Sequence, residues 1–77
     1  MQVKIHLVGA LYQYIPDARE FMTADVQQGD TIRRALEKVK VPPELVKSAL
    51  LDRERVPIDT EVHEGQEITI MALIGGG

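Results

Sequence analysis

The sequence closes with Ile74-Gly75-Gly76-Gly77. Three glycines after an apolar, strand-like run have no side chains to pack. The one group they can offer to chemistry is the carboxylate of Gly77. Glycine has no Cβ, so such a stalk can lie flat against an enclosing protein wall. Three extended residues reach roughly 10 Å, enough to carry a carboxyl group off a small body and into another protein's active site. A carboxylate is a poor electrophile until one of its oxygens becomes a leaving group. The machinery that activates it must surround it, exclude water and hold it in place. A side chain at Gly76 or Gly77 obstructs a narrow channel, and Gly75 adds reach. A frayed chain end is the other reading of such a tail, so the body of the chain has to decide.

Other residues offer less. There is no cysteine, which removes disulfides, thiolate metal ligands, a cysteine nucleophile and any thiol on this chain that could carry sulfur. His6 and His63 lie far apart, one on a strand and one in a loop, without the spacing of metal ligands. Asp17, Arg19 and Glu20 lie near Tyr12 and Tyr14, but nothing in the sequence pairs them with a pocket, and a small domain has little room for one. Asp52-Arg53-Glu54-Arg55 reads as a solvated turn. Lys4, Lys38, Lys40 and Lys47 read as surface lysines, any of which could accept an isopeptide bond. Leu45, Val46 and Leu50 read as satellite core.

The chain has 77 residues, a formal net charge of −3 and 44% hydrophobic residues. That is one domain with an adequate core. An acidic balance argues against nucleic acid, which needs a basic face. Tyr12, Tyr14 and Phe21 are too few aromatics for a base-stacking platform. No signal peptide or membrane-length apolar run is present, so the expected location is the cytoplasm.

Alternation of Val3, Ile5 and Leu7 with Gln2, Lys4 and His6 predicts a first strand with one buried face. A short helical turn is predicted over 10–15, with Leu11, Tyr14 and Ile15 on one side. A second strand over 21–26 places Met22, Ala24 and Val26 opposite Phe21. Asp30-Thr31 supplies a capping oxygen for a helix of about ten residues, in which Ile32, Ala35, Leu36 and Val39 form the apolar stripe. Pro42-Pro43 is expected to stop it. A single helical turn is predicted over 44–47. Ala49-Leu50-Leu51 and Val56-Pro57-Ile58 read as two short strands joined by the charged turn. Glu64-Gly65-Gln66 turns into a last strand over 67–74. A helix this short must lie across the sheet to persist. The expected fold is α+β, a mixed sheet of four or five strands with one main helix on one face, a domain over 1–74 and a flexible glycine tail over 75–77.

On the last strand, Met71 and Leu73 share a parity opposite to Ile68 and Ile70. With the isoleucines in the core, these two side chains reach the open face beside the tail. Ile74, Val8 and His6 extend the set. An exposed apolar patch on a small domain marks a partner site, and Met suits an adaptable one. The alternative is a curled sheet that takes part of this set into the core.

The layout resembles the β-grasp fold of ubiquitin-like proteins, and within it the MoaD/ThiS family of sulfur carriers. The resemblance spans the chain. It rests on Val8-Gly9-Ala10-Leu11, Gly29-Asp30-Thr31-Ile32, Val56-Pro57-Ile58-Asp59-Thr60, Glu64-Gly65-Gln66-Glu67-Ile68 and Ile74-Gly75-Gly76-Gly77. The insert over 10–16 is more like MoaD, the small subunit of molybdopterin synthase, than ThiS. The chain departs from many MoaD-like sequences in having Ile70-Met71-Ala72-Leu73 where they carry an aromatic, proline-rich stretch, and in its third glycine. The resemblance implies that the first and last strands are parallel neighbours in the middle of the sheet.

It also implies a carrier rather than an enzyme, with no cofactor bound. A ubiquitin-activating-type adenylyltransferase (MoeB/ThiF-like) would adenylate Gly77 with ATP and Mg²⁺. A sulfur donor would convert the adenylate to a thiocarboxylate. A molybdopterin synthase large subunit, or next a thiazole synthase, would take the sulfur into a cofactor precursor. A ubiquitin-like modifier joined through Gly77 to lysines, and an interaction domain with inert glycines, remain alternative readings.

Overall fold

The computed structural model describes residues 1–9 and 11–72; Ala10, the side chains of Leu11 and Ala72, and residues 73–77 lie outside it. The elements follow in the order β1 (Gln2–Leu7), a 3₁₀ turn (Leu11–Tyr14), β2 (Phe21–Asp25), α1 (Ile32–Lys38), a second 3₁₀ turn (Pro43–Leu45), β3 (Val46–Leu51), β4 (Glu54–Val56) and β5 (Glu67–Ala72). They form one five-stranded mixed sheet in the order β2-β1-β5-β3-β4. One helix serves it, giving the ubiquitin-like β-grasp architecture.

The sheet is organised by its centre. β1 and β5 run parallel, with Ile5 opposite Ile68 and Leu7 opposite Ile70. All four are at most 1% exposed. They pack in one core with Ile32, Ala35 and Leu36 of α1, Ala24 of β2, Val26 just after β2, and Val41 and Val62 from connecting segments. Strand alternation predicts this burial from β1 outward: Val3, Ile5 and Leu7 point inward while Gln2 and Lys4 do not.

α1 has seven residues, too short to persist alone, and both its ends are tied. Thr31 is the N-cap, its Oγ1 accepting from the Arg34 N–H at 3.2 Å. Asp30 instead accepts from the Gln27 N–H at 2.9 Å. The segment before β5 crosses the helix start: the N–H groups of Ile32 and Arg33 donate to the carbonyls of Thr60 and Ile58, at 3.0 and 2.8 Å. These are donors that a helix N-terminus otherwise leaves unmade.

The helix stops earlier than the prolines require. Val41 N–H donates to Leu36 O at 2.9 Å and Lys40 N–H to Glu37 O at 3.1 Å, with Lys40 at φ 63°. That is a Schellman ending with lysine where glycine is usual. Val39, expected within the stripe, is the C-cap.

Other expectations are corrected. The hairpin turn is Asp52-Arg53 alone, since Leu51 pairs with Glu54 and Leu50 with Arg55. Both turn residues have positive φ, 50° and 75°, as a two-residue hairpin matching strand twist requires. Glu54 and Arg55 therefore belong to β4, and Pro57 and Ile58 follow it. Proline has no N–H for the ladder, so pairing ends before it. Tyr14, placed on the inward side of the first turn, is 61% exposed, while Ile15 is buried. Leu45 and Val46 pack against the core. Leu50 lies on the opposite sheet face, opposite Thr69 and Arg55.

Two expected outcomes follow from these ends and charges. Lys40→Gly relieves a left-handed lysine and raises stability by about 0.5–1 kcal/mol, read by urea denaturation. Asp30 and Asp59 are held below the ordinary 3.8, Asp30 chiefly by the Gln27 N–H and Asp59 by the hydrogen bonds from Arg33. A lowered folded pKa stabilises above the unfolded value, and that stabilisation is lost as pH falls through the folded one. Stability should therefore fall below about pH 3.8. Asp30→Asn with Asp59→Asn should flatten that acid limb in denaturation curves taken across it.

Candidate functional site

Residues with side chains on the sheet face away from α1 follow from the pairing. Across the middle of that face run Phe21, His6, Thr69, Leu50 and Arg55, each opposite the next. Thr69 and Arg55 make this face more polar than the core side, yet it carries large apolar groups. Phe21 is 61% exposed and Met71 is 42% exposed. Both are large apolar side chains left exposed on one face of a small domain.

Of the residues named from sequence, Met71 lies on this face opposite Ser48. Val8 is half-buried and donates its N–H to Ile70 O at 3.0 Å, which continues the β1–β5 pairing and sets it beside Met71. His6 is half-buried and stacks on Phe21, with ring centroids 4.3 Å apart and planes 13° off parallel. Its Nε2 donates to Glu20 Oε2 at 3.2 Å, since a carboxylate can only accept. Phe21 is thereby braced outward by a ring beneath it and a carboxylate beside that ring. Leu73, Ile74, Gly75, Gly76 and Gly77 lie outside the described residues.

Sequence parity alone placed Phe21 away from Met22 and Ala24 but did not single it out. The usable signal was an aromatic at the outward parity of an edge strand. Leu50 was hidden because Ala49-Leu50-Leu51 has no alternation.

The end of the sheet at which β5 stops is irregular. Val46 pairs with Ala72 and Ser48 with Met71, so Lys47 is an extra residue, a β-bulge. Bulges re-aim side chains and bend strands. This one falls at the last described pair before the glycines.

β5 is also tied at its other end. Asp52 Oδ1 accepts from the Glu67 N–H and its Oδ2 from Gln66 Nε2, both at 3.1 Å. Gln66 Oε1 in turn accepts from the His63 N–H at 2.6 Å. The hairpin turn thus holds the start of the strand that leads to the tail.

Beside this face, the described residues form no catalytic constellation. Asp17 and Arg19 do line a concavity, of about 610 Å³, with Lys4, Phe21, Thr23 and Glu67. No nucleophile–base hydrogen bond joins its described members. Among the described residues no group of three or more His, Cys, Asp or Glu is placed to hold a metal ion, and no helix is long and apolar enough to cross a membrane.

No protein-family model matches the sequence, and no curated protein matches it significantly. Solved structures do. SAMP1 from Haloferax volcanii superposes with a TM-score of 0.77 over 100% of both chains at 16% identity. A protein from Pyrococcus furiosus described as molybdopterin converting factor, subunit 1, superposes with a TM-score of 0.70 over 94% of this chain and 97% of that one, at 14% identity. The shared fold is the ubiquitin-like β-grasp.

The bracing of Phe21 can be measured without any partner. Phe21→Ala should cost about 1 kcal/mol or less, the range of a cross-strand pair, in urea denaturation. It should also move the His6 ring-proton resonances downfield by removing the ring current above them. Unmoved His6 resonances would mean that the two rings do not stack in solution.

Proposed function

We propose that this chain is a sulfur carrier protein, a co-substrate whose Gly77 carboxyl group is activated and converted to a thiocarboxylate by other proteins. The observation that carries the proposal is the placement of β5. It runs through the middle of the sheet, between β1 and β3, with Met71 exposed on the open face beside its end. A glycine stalk that continues such a strand starts from a rigid base next to a docking surface. That is the arrangement a carrier needs to present an end group in a fixed direction.

The chemistry is supplied by partners. A MoeB/ThiF-like adenylyltransferase docks on the face formed by His6, Val8 and Met71, with Phe21 and Leu50 added, and engages Leu73 and Ile74 as the chain runs on to the glycines. It joins a Gly77 carboxylate oxygen to the α-phosphorus of ATP, with Mg²⁺, and pyrophosphate leaves. A sulfide-level donor then attacks the acyl carbon. The C–S bond forms, the C–O bond to AMP breaks, and AMP departs with the oxygen. Gly76 and Gly77 admit the stalk to a narrow channel, and Gly75 lengthens it. The thiocarboxylate passes its sulfur to a cofactor precursor, molybdopterin first through a synthase large subunit, thiamin thiazole next through a thiazole synthase. The neighbour described as molybdopterin converting factor, subunit 1, supports that order. The cytoplasm, where ATP is available, is the place for this reaction.

Intact-mass analysis of the chain isolated from its native cells tests the reading. A mass gain equal to replacing one oxygen by sulfur, localised to Gly77, is expected. Gly76→Ala should abolish that gain while leaving the urea midpoint unchanged. A chain that carries no sulfur but is found joined through Gly77 to lysines of other proteins would make it a modifier instead. An inert terminus after incubation with the cell's adenylyltransferase and ATP would leave an interaction domain.

A further inference from the structure

The β-bulge at Lys47 has a second consequence. β4 pairs with β3 only over Ala49, Leu50 and Leu51, while β3 begins at Val46. Among the described residues, the stretch 46–48 therefore has no strand neighbour on that side. Pro57 turns the chain away and leaves a cleft of about 390 Å³, lined by Val46, Lys47, Ser48, Arg55, Pro57 and Ile58 among others. Lys47 and Arg55 are exposed, and neither has an ion-pair partner among the described residues. Asp59, the next acid after this segment, is occupied by Arg33 Nε at 2.9 Å. The cleft is thus locally cationic on a chain whose formal net charge is −3. It also abuts the Val46–Ala72 pair, the last described pair before the tail.

We propose that this cleft docks an extended acidic segment of the protein that acts on the tail. An uncovered length of strand offers edge backbone for an added strand. Two separated cations suit carboxylates spaced along an extended peptide. A longer polyanion such as nucleic acid meets repulsion from the rest of an acidic chain. The cleft lies on the β4 side of β5, whereas Phe21 and His6 lie on the β1 side. A partner that grips both straddles the strand from which the tail departs. This role in docking rests on the carrier reading, but the cleft's chemistry does not.

The cleft is judged by titrating ¹⁵N-labelled full-length chain with a synthetic peptide of alternating Glu and Val. Expected are amide shifts concentrated at 46–48 and 55–58, lost in Lys47→Glu with Arg55→Glu and kept in Lys40→Glu. Raising salt from about 50 to about 300 mM should weaken them severalfold. No shifts, or shifts centred on Arg33, Arg34 and Lys38 of α1, overturn the site. Against the cell's adenylyltransferase, the Lys47→Glu/Arg55→Glu chain should show KM raised about tenfold with kcat unchanged, a loss of about 1.4 kcal/mol of binding. An unchanged KM overturns the docking role. Failure of the wild-type chain to be adenylated at all counts against the carrier reading and, with it, the docking role; the peptide titration still judges the cleft.

Discussion

The parallel contact between β1 and β5 constrains everything else in this molecule. It joins the two ends of the described chain, with Lys4 opposite Glu67 and Leu7 opposite Ile70. Closing so long a loop costs conformational entropy, and only burial can offset it. Ile5, Leu7, Ile68 and Ile70 supply that burial by packing as one layer against Ile32, Ala35 and Leu36. Once this layer exists, the last strand sits in the interior of the sheet, with a neighbour on each side. Its direction is then set by two ladders of hydrogen bonds rather than one.

The connecting segments serve the same layer. The stretch between β4 and β5 has little regular structure, yet it is not loose. It supplies the carbonyls of Ile58 and Thr60 to the first turn of α1 and buries Val62 completely. A seven-residue helix is held by what crosses its ends more than by its own propensity. At the opposite end of the sheet, Asp52 ties the β3–β4 turn to the start of β5. The strand before the tail is therefore fixed at its beginning by a carboxylate and along its length by the core.

The two faces of the sheet divide the work. One is apolar and dry under the helix. The other is mixed, with Phe21 propped on His6 and Met71 exposed near the strand's end. Apolar side chains left in water on a domain this small are a cost to solubility, which a binding surface recovers when it is covered. The bulge and the early end of β4 add a charged notch on the far side of β5.

Strict alternation made β1 legible, and the i, i+3, i+4 recurrence of Ile32, Ala35 and Leu36 made α1 legible, because each pattern records one buried face of a regular element. The order of elements followed from them, and so did the outward parity of Met71 and His6. The glycine run was equally plain, since backbone freedom is a property of the residue itself. Resemblance, rather than periodicity, supplied the parallel pairing of the end strands. Tertiary structure alone decided the rest: that Leu50 faces away from the core, that the hairpin turns on Asp52 and Arg53, that Lys40 ends the helix, and that Lys47 is an extra residue beside the last pair. Each of these depends on register between strands or on a left-handed backbone forced by packing. Both are set by contacts between segments distant in sequence, which no local pattern of side chains encodes.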